Sequence, residues 1–205
     1  MACRLRPVHW IRVSFALGAL LGSISACLQP VSGQERKADD RVYRSQRMAD
    51  GKEWMTQNLD ADLAPSYCYE DAEVNCGRYG RLYTWESARR ACESLGHGWR
   101  LPEDAEWRQM AKQYGGVSED SDDKGKAAYK ALSAGGSSGF NAVLGGGRSN
   151  DGQYARLEAH GFYWTASQID APTAWFYNFG RGGLALHRQR GGDKGRAFSV
   201  RCVRD

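Results

Sequence analysis

Two segments of the chain carry apolar residues at the spacing of an amphipathic helix. In residues 84–94 they recur every three or four positions from Trp85 to Cys92, and Gly96 follows as a stop signal. Residues 102–114 have the same spacing after a proline and three acidic residues, which suit the positive start of a helix. The pattern predicts two short helices.

Shorter segments that are rich in β-branched or aromatic residues, or are bounded by glycine, are typical of strands. There are five of them: residues 54–59, 161–167, 174–179, 184–189 and 197–203. Glycine-rich turns at 180–183 and 191–195 favour an antiparallel meander of the last three. The glycine-rich residues 115–160 predict a long loop, so the whole is a loop-rich mixed fold of helices and strands.

The N-terminus has the pattern of an export signal. Three arginines and no acidic residue precede an apolar run at residues 13–21, which is shorter than the roughly 20 residues that span a bilayer. The segment LGSISAC ends at Cys27 and resembles a bacterial lipobox, in which the cysteine is diacylated. We predict a lipoprotein signal peptide at residues 1–26. Ordinary secretion, with cleavage near Val31, is the alternative.

Polar residues follow Cys27 and predict a flexible tether over residues 27–46, ahead of one domain at residues 47–205. Acyl chains on Cys27 would hold this domain on a membrane. Leu28 stands where Asp is the inner-membrane retention signal of enterobacterial lipoproteins, so resemblance to that system favours the outer membrane. We therefore expect a lipid-anchored protein of the cell envelope.

Charge and cysteine content narrow the choice of function. Loss of residues 1–26 lowers the formal charge from +4 to +1, which argues against a nucleic-acid partner. Cys68, Cys76, Cys92 and Cys202 remain in the domain, and an even number in an exported chain predicts two disulfides. Four cysteines permit three pairings, of which we favour Cys68–Cys76 with Cys92–Cys202. Metal ligation is the alternative, but neither a CxxC motif nor paired histidines accompany these cysteines.

Five phrases of the domain point together to a known family. They are DGKEWM at 50–55, YGRLYTW at 79–85, GWRLP at 98–102, GFYWTAS at 161–167 and SVRCVRD at 199–205. In this order they closely resemble the Fibrobacter succinogenes major paralogous domain, from about Asp50 to the C-terminus. The resemblance implies a C-type-lectin-like fold of the α+β class, with two short helices flanking a small twisted antiparallel sheet.

The resemblance also assigns roles to particular residues. It implies a long-range disulfide between the first helix and the last strand, and Cys92 and Cys202 occupy those places. The related formylglycine-generating enzymes use a pair of late cysteines, whereas Cys202 is the only late cysteine here and is assigned to the bridge. Glu103 replaces the Thr that the family commonly has after Pro102, which removes a capping hydroxyl from the second helix.

Residues suited to catalysis or metal binding do not form a recognisable set. The three histidines of the domain lie far apart and show no metal-ligand spacing. Asp120 and Asp122 have the start of a calcium loop, but Ala131 stands at the twelfth place, where such a loop needs Glu. We expect a non-enzymatic protein without a cofactor, in which this acidic segment is a solvated turn.

The segment at residues 174–179 carries aromatic side chains on both faces of a strand, of which only one can face the core. Neighbouring arginines add the mixture of aromatic and Arg side chains that is typical of binding surfaces. The candidate ligand-binding residues are Trp175, Tyr177, Phe179, Arg181, His187, Arg188 and Arg190. The alternative is an edge strand covered by the glycine-rich segment.

These observations predict an envelope lipoprotein whose domain acts in adhesion or binds a polysaccharide or protein ligand. One alternative is a structural envelope component that binds its own cell's proteins or peptidoglycan. Another is an uncharacterised enzyme with a fold like that of the formylglycine-generating enzyme.

Overall fold

The computed structural model describes residues 42–205. The predicted signal peptide at residues 1–26 and the predicted lipidation site Cys27 lie outside this range, as does all but the end of the predicted tether. Within residues 42–205, no helix has the length and apolar character needed to cross a membrane.

Ten strands form three sheets in the described residues. Their bounds are β1 (Ser45–Arg47), β2 (Glu53–Met55), β3 (Ser66–Tyr67), β4 (Leu82–Tyr83), β5 (Gly145–Arg148), β6 (Tyr154–Leu157), β7 (His160–Gln168), β8 (Thr173–Gly180), β9 (Ala185–Asp193) and β10 (Val203–Arg204). The strand orders are β6-β5-β7-β8-β9, β1-β2-β10 and β3-β4. The prediction of an antiparallel sheet is wrong at one pairing, because β7 runs parallel to β5. The chain reverses direction twice between these two strands, and β6 pairs with β5 in the antiparallel direction.

Four α-helices accompany the sheets in the described residues, and the fold is of the α+β class. They are α1 (Glu73–Tyr79), α2 (Trp85–Glu93), α3 (Asp104–Lys112) and α4 (Lys126–Leu132). α2 and α3 confirm the two predicted helices, but α1 and α4 make the predicted count of two wrong. Each has seven residues, which is too short for an apolar pattern of helical period to be recognised in the sequence. α4, β5 and β6 also correct the long loop predicted at residues 115–160.

β7, β8 and β9 form the antiparallel meander of the large sheet. The predicted third strand at residues 197–203 does not belong to it, because its end forms β10 and pairs with β2. Residues 197–203 are buried along their whole length, so both faces of this segment contact the core. The outer strand of a meander would leave one face open. The predicted turn at 191–195 is also shifted, since β9 extends to Asp193.

Two disulfides confirm the favoured cysteine pairing. The short bridge joins Cys68 to Cys76, eight positions apart, and the long bridge joins Cys92 to Cys202, 110 positions apart. The long bridge ties α2 to the residue before β10. Glu73 lies beside the short bridge and completes the only group of three potential metal ligands in the described part of the chain, but both sulfurs are bonded to each other.

Aromatic side chains fill the core on both sides of the large sheet. One face carries Trp164, which packs against Phe198 with 4.5 Å between ring centroids, in the cluster that includes α2. The opposite face carries Tyr163 and Tyr177, and Tyr177 stacks on Trp107 of α3 at 4.9 Å. Because each such ring buries about 150–250 Å², these two clusters supply much of the hydrophobic stabilisation.

Arg201 is fully buried although it carries a charge. Its Nε donates to Asn58 Oδ1 at 2.6 Å, and its two terminal nitrogens donate to the backbone carbonyls of Met55, Phe140 and Asn141 at 2.5–3.0 Å. All of these acceptors are neutral. Burial lowers the pKa of the Arg201 guanidinium to about 10, so the group still carries its charge at neutral pH.

The start of α3 obtains a capping hydroxyl from another part of the fold. The Glu106 carboxylate accepts a hydrogen bond from the Glu103 N–H at 2.8 Å. Ser167 of β7 accepts one from the Asp104 N–H at 2.9 Å, and its hydroxyl donates to the Glu103 carboxylate. The strand therefore supplies the hydroxyl that position 103 lacks.

Candidate functional site

β8 and β9 carry most of the residues predicted to bind a ligand. The expectation that one face of β8 stands exposed is wrong, because Tyr177 and Phe179 are buried on one face and Phe176 is buried on the other. The first face packs in the cluster that contains Trp107 of α3, and the second packs against Phe198. Tyr177 and Phe179 therefore cannot contact a ligand outside the domain.

Trp175 is the aromatic residue of β8 that stays half-buried. The guanidinium carbon of Arg188 lies 3.4 Å from its ring centroid, and that of Arg190 lies 5.5 Å away. Trp175, Arg188 and Arg190 are called the Trp175 surface below. Aromatic and arginine side chains are the types that most often concentrate binding energy at protein interfaces.

Asp104, the first residue of α3, fixes the position of Arg188. Both oxygens of its carboxylate accept hydrogen bonds from the guanidinium, each at 2.7 Å, and this contact raises the pKa of Arg188. The Tyr177 hydroxyl donates to the same carboxylate at 3.2 Å. Burial, together with the Asp104 charge, raises the pKa of the Tyr177 phenol. The Trp175 surface is thus pre-organised on one side, while Arg190 is exposed.

The remaining predicted residues lie apart from the Trp175 surface. His187 Nδ1 is 2.7 Å from Ser118 Oγ, a contact across 69 positions that no local pattern indicates. The pair places a hydroxyl beside a base, but no residue in 42–205 hydrogen-bonds the second ring nitrogen of His187 to orient it, as a catalytic triad requires. Arg181 is exposed in the turn after β8, at the opposite end of the β8–β9 hairpin from Trp175.

The acidic turn before α4 uses carboxylates within the domain. Asp120 accepts a backbone N–H at 3.1 Å and pairs with Arg108 at 2.9 Å. Asp123 accepts backbone N–H groups at the start of α4, and these hydrogen bonds lower the pKa of its carboxyl. Asp122, the second residue considered for calcium, is exposed. The geometry of this turn is that of a helix cap and a surface ion pair.

A groove on the other face of the large sheet is a second candidate site, with a volume of about 310 Å³. Three phenylalanines line its apolar part: Phe162, Phe176 and Phe198. Three arginines line it as well: Arg148, Arg156 and Arg196. The groove is called the arginine groove below. Its volume lies at the lower limit of small-molecule sites, which span about 300–1,000 Å³.

The arginine groove could not be found from short patterns in the sequence. Its residues come from five strands and from the segment before β10, and part of it belongs to residues 115–160, which were predicted as a loop. The one available signal is the run of three glycines at 145–147 before Arg148, because glycine in a strand often marks a close approach of another group.

The comparison with protein families covers almost all of the described domain. The family model of the Fibrobacter succinogenes major domain matches residues 41–204, a range that includes the Trp175 surface and the arginine groove. A search of curated proteins finds no match. The chain therefore belongs to the Fibrobacter succinogenes major domain family.

Proposed function

We propose that this chain is an envelope lipoprotein whose domain binds a macromolecular ligand through the Trp175 surface, without catalysing a reaction. The observation that carries the proposal is the half-buried Trp175 ring beside two arginines, one of which Asp104 holds in place. A group that is already ordered loses little conformational entropy on binding, so more of the contact energy remains as affinity.

The proposal includes a C-type-lectin-like fold and a lipid anchor on Cys27 at the outer membrane. The long bridge from α2 to Cys202 supports the fold, since that link is implied by the family resemblance. The bridge also supports a non-enzymatic role, because a cysteine held in a disulfide offers no thiolate for catalysis. The lipobox-like segment that ends at Cys27 supports the anchor.

The test of the Trp175 surface uses the full-length protein with its disulfides intact. It is applied to a glycan array and, in parallel, crosslinked to envelope extract of its own cells and recovered. Wild-type protein should capture a partner that Trp175→Ala/Arg190→Gln loses. A glycan hit would make the domain an adhesin, whereas a single recovered envelope protein would make it a structural component.

Trp99→Ala is the matched control for this experiment. Trp99 is also half-buried and has an arginine, Arg204, whose guanidinium carbon is 4.6 Å from its ring centroid, but it lies on another part of the domain. The control should keep the partner. Equal capture by Trp175→Ala/Arg190→Gln and wild type would refute the placement. For the anchor, labelled palmitate should enter the wild type but not Cys27→Ala, and equal labelling would refute it.

A further inference from the structure

We infer that the arginine groove is a second binding site, which takes a carboxylated sugar unit of an acidic polysaccharide. The site does not depend on the proposed function of the Trp175 surface, because it shares no residue with it. Its lining combines aromatic rings, amide side chains and guanidinium groups that form no ion pair within residues 42–205. Each of these selects a different part of such a sugar.

Charge selects an anionic ligand. Arg148, Arg156 and Arg196 line the groove, and none of its lining residues is acidic. Within residues 42–205, none of the three forms an ion pair. The Arg148 guanidinium lies 4.0 Å from the ring centroid of Tyr67 and 5.6 Å from that of Tyr154, and its Nε is buried without a hydrogen-bond partner. Guanidinium groups bind carboxylates through two parallel hydrogen bonds, which gives specificity as well as energy.

Acidic residues next to the groove are already occupied. Asp151 follows the lining residue Ser149 by two positions, and its carboxylate accepts hydrogen bonds from the Ser149 hydroxyl and from the Gln153 N–H. These hydrogen bonds lower the pKa of Asp151. The charge of Arg148 also lowers the pKa of Asp151, but the hydrogen bonds commit the carboxylate to the β5–β6 turn. Arg156 and Arg196 form no ion pair within residues 42–205 and remain for a ligand carboxylate.

The apolar and amide lining selects a sugar among anions. Phe162 is half-buried and packs on Phe198 with 5.0 Å between centroids, which leaves aromatic surface for the C–H face of a pyranose ring. Gln153 and Gln189 line the groove beside these rings. Each amide both donates and accepts hydrogen bonds, which matches sugar hydroxyl groups that do the same. A small inorganic anion would use neither feature.

Two backbone features keep the groove in this form. A Cβ atom on Gly147 would lie 3.0 Å from the Phe198 ring and 3.2 Å from the Phe162 ring, so any side chain at this position of β5 would have to displace these rings. Arg156 has a φ of 71°, in the left-handed region that a side chain of this size rarely adopts. Such strain persists where the surrounding structure requires it and clusters at ligand sites.

The test is isothermal titration calorimetry of the full-length protein, disulfides intact, with trigalacturonic acid. Neutral galactotriose of the same linkage and hexaglutamate are titrated alongside. Trigalacturonic acid should bind, and neither of the other two should. Arg156→Gln/Arg196→Gln should weaken binding roughly tenfold or more, because it removes charge-assisted contacts while both side chains are exposed and can be changed without disturbing the core.

Arg89→Gln/Arg90→Gln on α2 is the matched control, since it removes the same charge from exposed positions outside the groove. It should bind like the wild type. Trp175→Ala/Arg190→Gln should also bind trigalacturonic acid normally, so failure of the groove and failure of the Trp175 surface are distinguishable. Equal binding of galactotriose, binding of hexaglutamate as tight as that of the sugar, no heat with trigalacturonic acid, or full affinity in Arg156→Gln/Arg196→Gln would each overturn the proposal.

Discussion

Replacement of Arg201 by methionine is the sharpest test of what stabilises this fold. Met has a similar length but removes the charge and the four hydrogen bonds to Asn58 and three backbone carbonyls. Hydrogen bonds to a charged group contribute about 1.5–3 kcal/mol each, and loss of the cation's desolvation cost offsets part of the sum. We expect a net loss of about 3–5 kcal/mol in the free energy of unfolding, a large share of the 5–15 kcal/mol typical of a domain.

Arg204→Met is the matched control, three positions further along the chain. Arg204 is partly exposed and forms an ion pair with Glu53 at 2.8 Å, and such surface pairs contribute no more than about 1 kcal/mol. Urea denaturation followed by tryptophan fluorescence measures both variants, with midpoints and slopes compared. Arg201, which has no carboxylate partner, should therefore contribute more to the free energy of unfolding than Arg204, which has one. The reasoning is refuted if both variants lose equal stability or if Arg201→Met stays within about 1 kcal/mol of the wild type.

Three further predictions concern the bridges and the start of α3. Replacing both cysteines of the long bridge by alanine should cost roughly 4–5 kcal/mol and replacing those of the short bridge roughly 2–3, because the closed loops differ in length; equal losses in urea denaturation would contradict this. Ser167→Ala should cost about 1 kcal/mol through the lost cap, and an unchanged midpoint would show that the cap is dispensable. Burial raises the pKa of Glu106, but hydrogen bonds from Arg100 and from the Glu103 N–H outweigh it and hold that pKa below the ordinary 4.5. Its stabilisation is present above pH 4.5 and is lost as the pH falls through the lower folded-state value, so Glu106→Gln should flatten the acid side of the stability profile, and an identical acid slope would contradict the assignment.

Elements with a one-sided apolar pattern could be predicted from the sequence, whereas elements held by distant contacts could not. α2 and α3 each complete two turns and repeat an apolar stripe, which makes them visible in the sequence. The segment that ends in β10 was assigned to the meander because amino-acid composition indicates a strand but does not indicate which strand it pairs with. In the structure β10 pairs with β2. Arg201 illustrates the same limit, since its acceptors lie far along the chain and a lone arginine near the C-terminus predicts nothing about burial.

In the candidate sites, too, contacts within a predicted hairpin could be predicted from the sequence, whereas contacts between distant segments could not. Trp175 and Arg188 lie on paired strands joined by a short turn, so their proximity follows from a predicted hairpin. The burial of Tyr177 could not be predicted, because it depends on Trp107 of α3 and not on the strand itself. The arginine groove is harder still to predict, because Arg148 and Arg196 are far apart in the sequence and the pairing of Arg148 with Ala197 brings their segments together.

Alternation along two adjacent strands explains why the domain has two candidate surfaces. Trp175 and Phe176 are successive residues of β8, so their side chains point to opposite faces of the sheet. On β9, Arg188 lies against Trp175, whereas Gln189 lines the arginine groove with Phe176. The two surfaces therefore share strands but no side chain. A ligand on one face need not displace a ligand on the other, and a substitution that removes one surface leaves the other intact for measurement.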